Sequence, residues 1–355
     1  MRAAVIGCGR MGAFASDVAR QWLPSDWFPL THAEAILDHP SLDLAAIVDS
    51  DASKLSVAQA RYGCDGFSGF EEMLDVVKPE LVCIATRTPG RAALIKRCVR
   101  AGVKAIHVEK PLCNSVLELN ELEAELSSEQ IFLTIGALRR HLSPYLTALD
   151  FVTRGDLGKL REIRVGFGPG PLYWTHPHSV DLMLWAARPQ AVLSVQARLD
   201  KLDFDKSSGV VLNDPIVLNA VIEFKDGIIG HISQSGLGEL TLECQDGAVV
   251  VENDGWVLKS RSRAGDDPYP HWKSVTPSRT SPFRGTTAAL QQLVSCLKDD
   301  IGARSENSAL KAEIFLGQRL LFGIIASHLE GGRPLRLSEI PQDLAVEAMT
   351  GGRPA

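Results

Sequence analysis

AAVIGCGRMG, residues 3–12, is a short apolar run that breaks into three glycines spaced G-x-G-x-x-G. An apolar run of this length reads as a buried strand. Gly7 permits a tight turn, Gly9 lets backbone approach a ligand with no Cβ in the way, and Gly12 lets a following helix pack close to the strand. The free N–H groups at the start of that helix favour an anion. Alone, the glycine spacing is a weak signal. Set between a strand and a helix, it reads as a turn for the pyrophosphate of a dinucleotide, with Arg10 and Met11 carried between the glycines. The pattern predicts the helix from Met11 to about Leu23.

Further strands follow at LAAIVD (44–49), LVCIAT (81–86), VKAIHVE (103–109) and IFLTIGA (131–137). Helical stretches separate them: SKLSVAQARYG, FEEMLDVV, RAALIKRCVRAG and VLELNELEAELSSE. Such alternation means right-handed βαβ units and a parallel sheet covered on both faces. LPSDWFPLTHAEAILDH delays the second strand and reads as a loop inserted before a second helical turn. Asp49 ends that strand, farther from the glycines than the usual spacing of about 20 residues. A carboxylate there accepts from ribose hydroxyls and repels a 2′-phosphate, which favours NAD. Ser50 and Lys54 beside it leave room for NADP.

After Arg139 the texture changes. Helices at SPYLTALDFVTRGDLG and HSVDLMLWAA accompany strands LREIRVGF, AVLSVQARLD, IVLNAVIEFKDGIIGHISQS, LTLECQ, AVVVEND and GWVLKSR. Asp226-Gly227 marks a hairpin turn. RAGDDPYPHWKSVTPSRTSPFRG reads as a long polar loop, and two helices close the chain. The expectation is an α/β doubly wound domain over residues 1–138. An α+β domain over 139–355 then follows, with a large, mainly antiparallel open sheet.

Composition bounds the function. The chain's 355 residues exceed one core of common size. Its 37 basic and 43 acidic side chains give a formal charge of −6. With no basic cluster, nucleic acid is not expected as a partner. No run approaches the roughly 18 apolar residues of a membrane span. MRAAVIG enters its glycine turn at once and reads as a strand rather than a signal peptide. Seven cysteines are scattered singly, without metal-ligand spacing. That pattern suggests free thiols, a cytoplasmic protein and no metal.

HVEKPLCNS (107–115) places Lys110 at the carboxyl end of a buried strand, where ligands of open parallel sheets sit. A lysine has a reference pKa near 10.4. Burial and the positive charge of an oxidised nicotinamide both push it down, toward a group that exchanges a proton with a hydroxyl. Pro111 restricts the backbone of Lys110. Glu109 reads as ordering the turn or reaching the nicotinamide ribose. His178 and Asp181, three apart on a helix, share a face, so that Asp181 could orient a proton-relaying His178.

GCGRMG, CIATRTP (83–89), HVEKPL (107–112), GALRR (136–140), GDLGKLREI (155–163) and HSVDLMLW (178–185) occur in this order. Together they resemble the Gfo/Idh/MocA (glucose-fructose oxidoreductase / inositol dehydrogenase) family over nearly the whole chain. The resemblance implies an NAD(P)-dependent dehydrogenase or reductase acting on a hydroxyl or carbonyl of a sugar, cyclitol or sugar derivative. It also implies a cis Lys110–Pro111 bond and a homodimer or homotetramer formed through the second sheet. Lys110 and His178 then contact the small-molecule substrate, Asp181 is the acid that follows, and Thr86, Thr88 and Pro89 line the nicotinamide side. Arg139 and its neighbour Arg140 are placed to hold a substrate hydroxyl, carboxylate or phosphate. One departure stands out: Trp174 occupies the position where many members carry an aspartate. His176 could fill that gap, and the indole could face a sugar ring. Two other readings stay open, a dinucleotide-binding regulator without turnover and a reductase of an imine or tetrapyrrole.

Overall fold

A computed structural model of the chain describes residues 1–188, 191–263, 269–278 and 281–347. Part of the polar stretch 263–285 lies outside these residues. The first sheet contains β1 (Arg2–Ile6), β2 (Asp43–Val48), β3 (Asp65–Phe67), β4 (Leu81–Ile84), β5 (Ala105–Val108) and β6 (Phe132–Ile135). All its pairings are parallel, in the order β3-β2-β1-β4-β5-β6. Strand order reverses between β1 and β4. A crevice therefore opens beyond their carboxyl ends, where Gly7 and Ala85 begin the exit turns.

The helix expected from Met11 to Leu23 is not continuous. A single turn forms after the glycines, with the Ala13 and Phe14 amides donating to Gly9 O at 2.9 and 3.2 Å. The chain then leaves. It forms a short helix α1 (Asp17–Trp22), capped by the Ser16 hydroxyl, and passes through Trp27 and a cis Phe28–Pro29 bond. It returns as α2 (His32–Asp38), capped by Thr31. The His32 amide donates to Met11 O at 2.8 Å and the Ala33 amide to Gly12 O at 3.0 Å. The first turn and α2 thus stack as one helix, with residues 14–31 looped out between them. The hydrogen bonds that residues 15 and 16 would make are made by residues 32 and 33 instead.

Four helices join the remaining strands of this sheet: α3 (Ala52–Tyr62), α4 (Phe70–Val77), α5 (Arg91–Arg100) and α6 (Val116–Glu125). Gly63, at φ 66°, ends α3 in the left-handed conformation that glycine adopts without strain. Next come α7 (Ser143–Thr153), β7 (Leu160–Gly166), α8 (Leu172–Ala187) and β8 (Val192–Asp200). Strands β9 (Phe204–Asp205) and β10 (Val210–Val211) are short; β11 (Ile216–Phe224) and β12 (Ile229–Ser233) are joined by Asp226-Gly227, both with positive φ. They are followed by β13 (Glu239–Cys244), β14 (Gly247–Glu252), β15 (Val257–Ser262) and β16 (Lys273–Ser274). Helices α9 (Gly285–Leu297) and α10 (Ile301–Leu329) precede β17 (Ala345–Val346).

The eight-stranded sheet runs β16-β15-β14-β13-β7-β12-β11-β8 and is antiparallel except for β7 with β12. A third sheet of three short strands, β17-β10-β9, had no strong sequence signal. Helix α9 places Leu290, Leu293 and Cys296 in one core with Ala3, Val5, Leu81 and Ala105 of the first sheet. Helix α10 reaches the outer edge of β6, where Asn307 both accepts from Leu133 N and donates to Leu133 O. The late helices thereby cover the first sheet. Among the described residues, no helix is long and apolar enough to cross a membrane.

Candidate active site

The glycine turn has the form a dinucleotide requires. Gly7 has φ +103°, and a Cβ there would lie 2.9 Å from the carbonyl carbon of Ala85. A Cβ on Gly12 would lie 1.7 Å from Gly7 O, so no side chain fits between turn and helix. Gly9 is the opposite case, with nothing within 4 Å of its Cβ position. Its backbone is open to an approaching pyrophosphate, and the residues fit the cofactor that the motif implies. The Asp49 carboxylate closes the other side, accepting from Cys8 N at 2.7 Å and from Asp51 N at 2.8 Å. Lys54 pairs with Asp51 at 2.9 Å, and Ser50 is exposed.

Lys110 follows β5 through a cis bond to Pro111. Its Nζ donates to Trp174 O at 2.5 Å and lies 4.4 Å from the centre of the Trp174 ring. No carboxylate stands within ion-pair distance of it among the described residues. Burial pushes its pKa down to about 8; Arg139 and Arg91 add to this, while Glu109 and Asp214 oppose it. Arg10, from the glycine turn, sits 5.4 Å from the same indole. Trp174 is thus the point where the glycine turn, the Lys110 turn and α8 meet.

Helix α8 starts at this point because Asp214 caps it. The Asp214 carboxylate accepts from Tyr173 N at 2.7 Å and Trp174 N at 3.0 Å. His178 follows Trp174 by one turn on the same face. Burial, then the positive charges of Lys110 and Arg139, hold its pKa well below the usual 6.5, so it is a neutral imidazole. Its Nδ1 is buried and without a partner among the described residues.

The other residues singled out in the sequence have partners of their own. Asp181 does not orient His178; it takes Arg140 in a two-pronged pair, Oδ1 to Nη2 at 2.5 Å and Oδ2 to Nε at 3.0 Å. Arg140 also donates to Glu313 at 3.0 Å. Burying a guanidinium demands such partners, and Asp181 is the acid within reach. His176 is buried, with Nδ1 at 3.0 Å from Ser179 Oγ and a pKa pushed down to about 4. It is a core histidine of α8. Arg139 is neutralised by Asp254, Nη2 to Oδ1 at 2.7 Å, and lies over the rings of Phe167 and Trp27. Thr86 and Thr88 offer backbone carbonyls to Arg91, and Pro89 leads into α5. Glu109 is buried and bonded to His32, Nε2 to Oε1 at 3.1 Å.

Sequence reading missed Asp214, His32 and Arg91, each of which meets the site through a long-range contact. His32, His107 and Glu109 also bring three donor atoms within 4.8 Å of one another, a set that could hold a metal. Lys110 and Arg91 both act on Glu109 as positive charges, which opposes a dication there.

Residues 1–137 match the family described as "Oxidoreductase family, NAD-binding Rossmann fold", Gfo/Idh/MocA. The match spans β1 to β6 and the helices between them. It is 28% identical over 203 residues to inositol 2-dehydrogenase of Leifsonia xyli, covering 54% of this chain and 58% of that protein. It is 26% identical over 167 residues to mouse trans-1,2-dihydrobenzene-1,2-diol dehydrogenase, covering 42% and 50%. The chain thus spans about half the length of these curated relatives. In fold it is similar to a putative NADPH-dependent oxidoreductase from Desulfitobacterium hafniense, with TM-score 0.74 and 18% identity over 96% of this chain and 98% of that one.

Proposed function

We propose that this protein is an NAD(P)-dependent dehydrogenase or reductase that interconverts a secondary alcohol and a carbonyl on a sugar, cyclitol or similar polyol. NAD is the preferred cofactor, because Asp49 holds a negative charge where a 2′-phosphate would lie. The observation that carries the reading is the state of Lys110. Its ammonium has a single carbonyl and an aromatic face, beside the neutral His178, at the carboxyl end of β5.

When bound, the nicotinamide would supply the hydride acceptor or donor. Neutral Lys110 takes the hydroxyl proton in oxidation, and its ammonium returns a proton to the carbonyl oxygen in reduction. A neutral His178 holds a substrate oxygen and fixes which carbon faces the cofactor. Trp174 offers an apolar face to the substrate's C–H side. The inositol and dihydrodiol dehydrogenases among the relatives support a vicinal diol as the recognised unit. A homodimer or homotetramer through the eight-stranded sheet belongs to the same proposal.

The test is a nicotinamide absorbance screen across sugars, cyclitols and cyclic diols, with NAD and NADP compared. Turnover that disappears in Lys110→Ala, with NADH affinity close to wild type, is the expected result. Tight NADH binding with no turnover on any polyol would move the protein to the regulator reading. Light scattering on the eluted peak reads the oligomer.

A further inference from the structure

Arg91 is the first residue of α5, where a cation opposes the helix dipole. It is also only 2% exposed, although guanidinium groups are rarely buried without a carboxylate. Its fork is spent on backbone carbonyls. Nη1 donates to Glu109 O at 2.6 Å and also to Pro111 O, and Nη2 donates to Thr86 O. Glu109 O and Pro111 O flank Lys110 in the chain, and Thr86 O ends the neighbouring strand. One planar group therefore ties together the exits of β4 and β5, on either side of the lysine. From below, Leu112 N donates to Gln318 Oε1 of α10 at 2.8 Å, closing the turn.

We propose that Arg91 is a positioning residue for the proton transfer: it fixes the backbone on both sides of Lys110 and so sets where the Lys110 ammonium points. The proposal rests on the reading of Lys110 as the proton-transfer group. A fork is needed because three carbonyls in different directions must be held by one rigid plane. A lysine in this place would carry the charge without the span. The charge acts as well. The groups facing Lys110 are Glu109, Asp214, Arg139, Arg91 and the neutral His178. Of these, Arg139 is offset by Asp254. Arg91 has no offsetting carboxylate bonded to it among the described residues.

The experiment compares wild type, Arg91→Met and Arg91→Lys in the full chain. Trace acylation of Lys110 by acetic anhydride across pH, read by peptide mass spectrometry, gives the lysine's titration midpoint without any substrate. Steady-state kinetics on the best polyol and NADH titration accompany it. In Arg91→Met, the midpoint should rise by roughly half a unit or more, since a nearby positive charge is lost. kcat should fall roughly tenfold or more while KM and NADH affinity change little, because a displaced lysine is poorly aimed rather than absent. Arg91→Lys should keep the midpoint near wild type and still lose kcat. A folded Arg91→Met with wild-type midpoint and kcat would overturn the proposal. Failure of both variants to fold would also overturn it, in favour of a purely structural staple. Turnover that requires Lys110 but ignores Arg91 refutes only the positioning role. A midpoint shift in a protein that turns over no polyol leaves Arg91 in place and refutes the dehydrogenase reading.

Discussion

Lys110→Met should make the protein more stable as the pH is lowered, relative to wild type, while abolishing activity. The lysine's pKa falls from 10.5 to about 8 on folding. The unfolded chain therefore binds more protons than the folded one between those values. The folded state is penalised in full below pH 8, and the penalty vanishes as the pH rises through 10.5. A shift of this size corresponds to about 3 kcal/mol. At pH 7 the methionine variant escapes that cost but loses the bond to Trp174 O and the ring contact, together worth about 2 kcal/mol. The net gain at pH 7 is then about 1 kcal/mol. The pH dependence is the sharper quantity, because the lost contacts cancel in it. The stability difference between variant and wild type should shrink by about 2.5 kcal/mol between pH 7 and pH 10. Guanidinium unfolding of both proteins at half-unit steps measures it, and all other titrating groups drop out of the difference. A difference that stays flat across this range would refute the argument that folding depresses the lysine.

The same shift sets the pH–rate profile. kcat/KM for alcohol oxidation should climb about tenfold per unit up to pH 7 and level off above 8, and carbonyl reduction should show the reverse; a flat profile in both directions contradicts proton transfer by Lys110. Gly9→Ala should fold with near-wild-type stability, since its Cβ meets open space, yet bind NADH at least roughly tenfold more weakly. Gly12→Ala should lose stability outright, because its Cβ collides with Gly7 O, and thermal melts separate the two. Asp214→Ala removes both capping acceptors of α8 and should cost about 1–2 kcal/mol of stability. It should also lower the Lys110 titration midpoint, the opposite of Arg91→Met, since Asp214 favours the charged lysine. An Asp214→Ala protein as stable as wild type would mean the α8 start is held by other contacts.

The first sheet was legible because its signals are local. Five of its strands are four- to six-residue apolar runs, and all of these but β2 exit into a turn with glycine, threonine or proline; β3, the three residues Asp65-Gly66-Phe67, carries no such signal. Lys110 was legible for the same reason. Its surroundings were not. Asp214 caps α8 from about forty residues away, and Arg91 looks like an ordinary charged residue opening a helix. Asp181 was misassigned to His178 because helical spacing shows which side chains share a face and not which distant cation competes for them. Arg140 wins that competition from the 3₁₀ turn after β6. His176 lies close in sequence to the place of the missing acid, but α8 turns it into the core. The dinucleotide helix failed for another reason. Residues 11–23 carry a helical pattern, yet Ser16 caps a new helix and the chain exits before it.

That looped-out segment gives the cofactor turn an unusual independence from chain continuity. The hydrogen bonds that complete the helix behind Gly12 come from His32 and Ala33, and α9 anchors the return at Pro29 and Leu30. Residues added or removed near Trp22, which is 73% exposed, need not disturb the phosphate turn at all. This places a permissive insertion point next to the dinucleotide crevice. A fluorophore or short peptide inserted there would report on cofactor occupancy from the side, without entering the site that holds it.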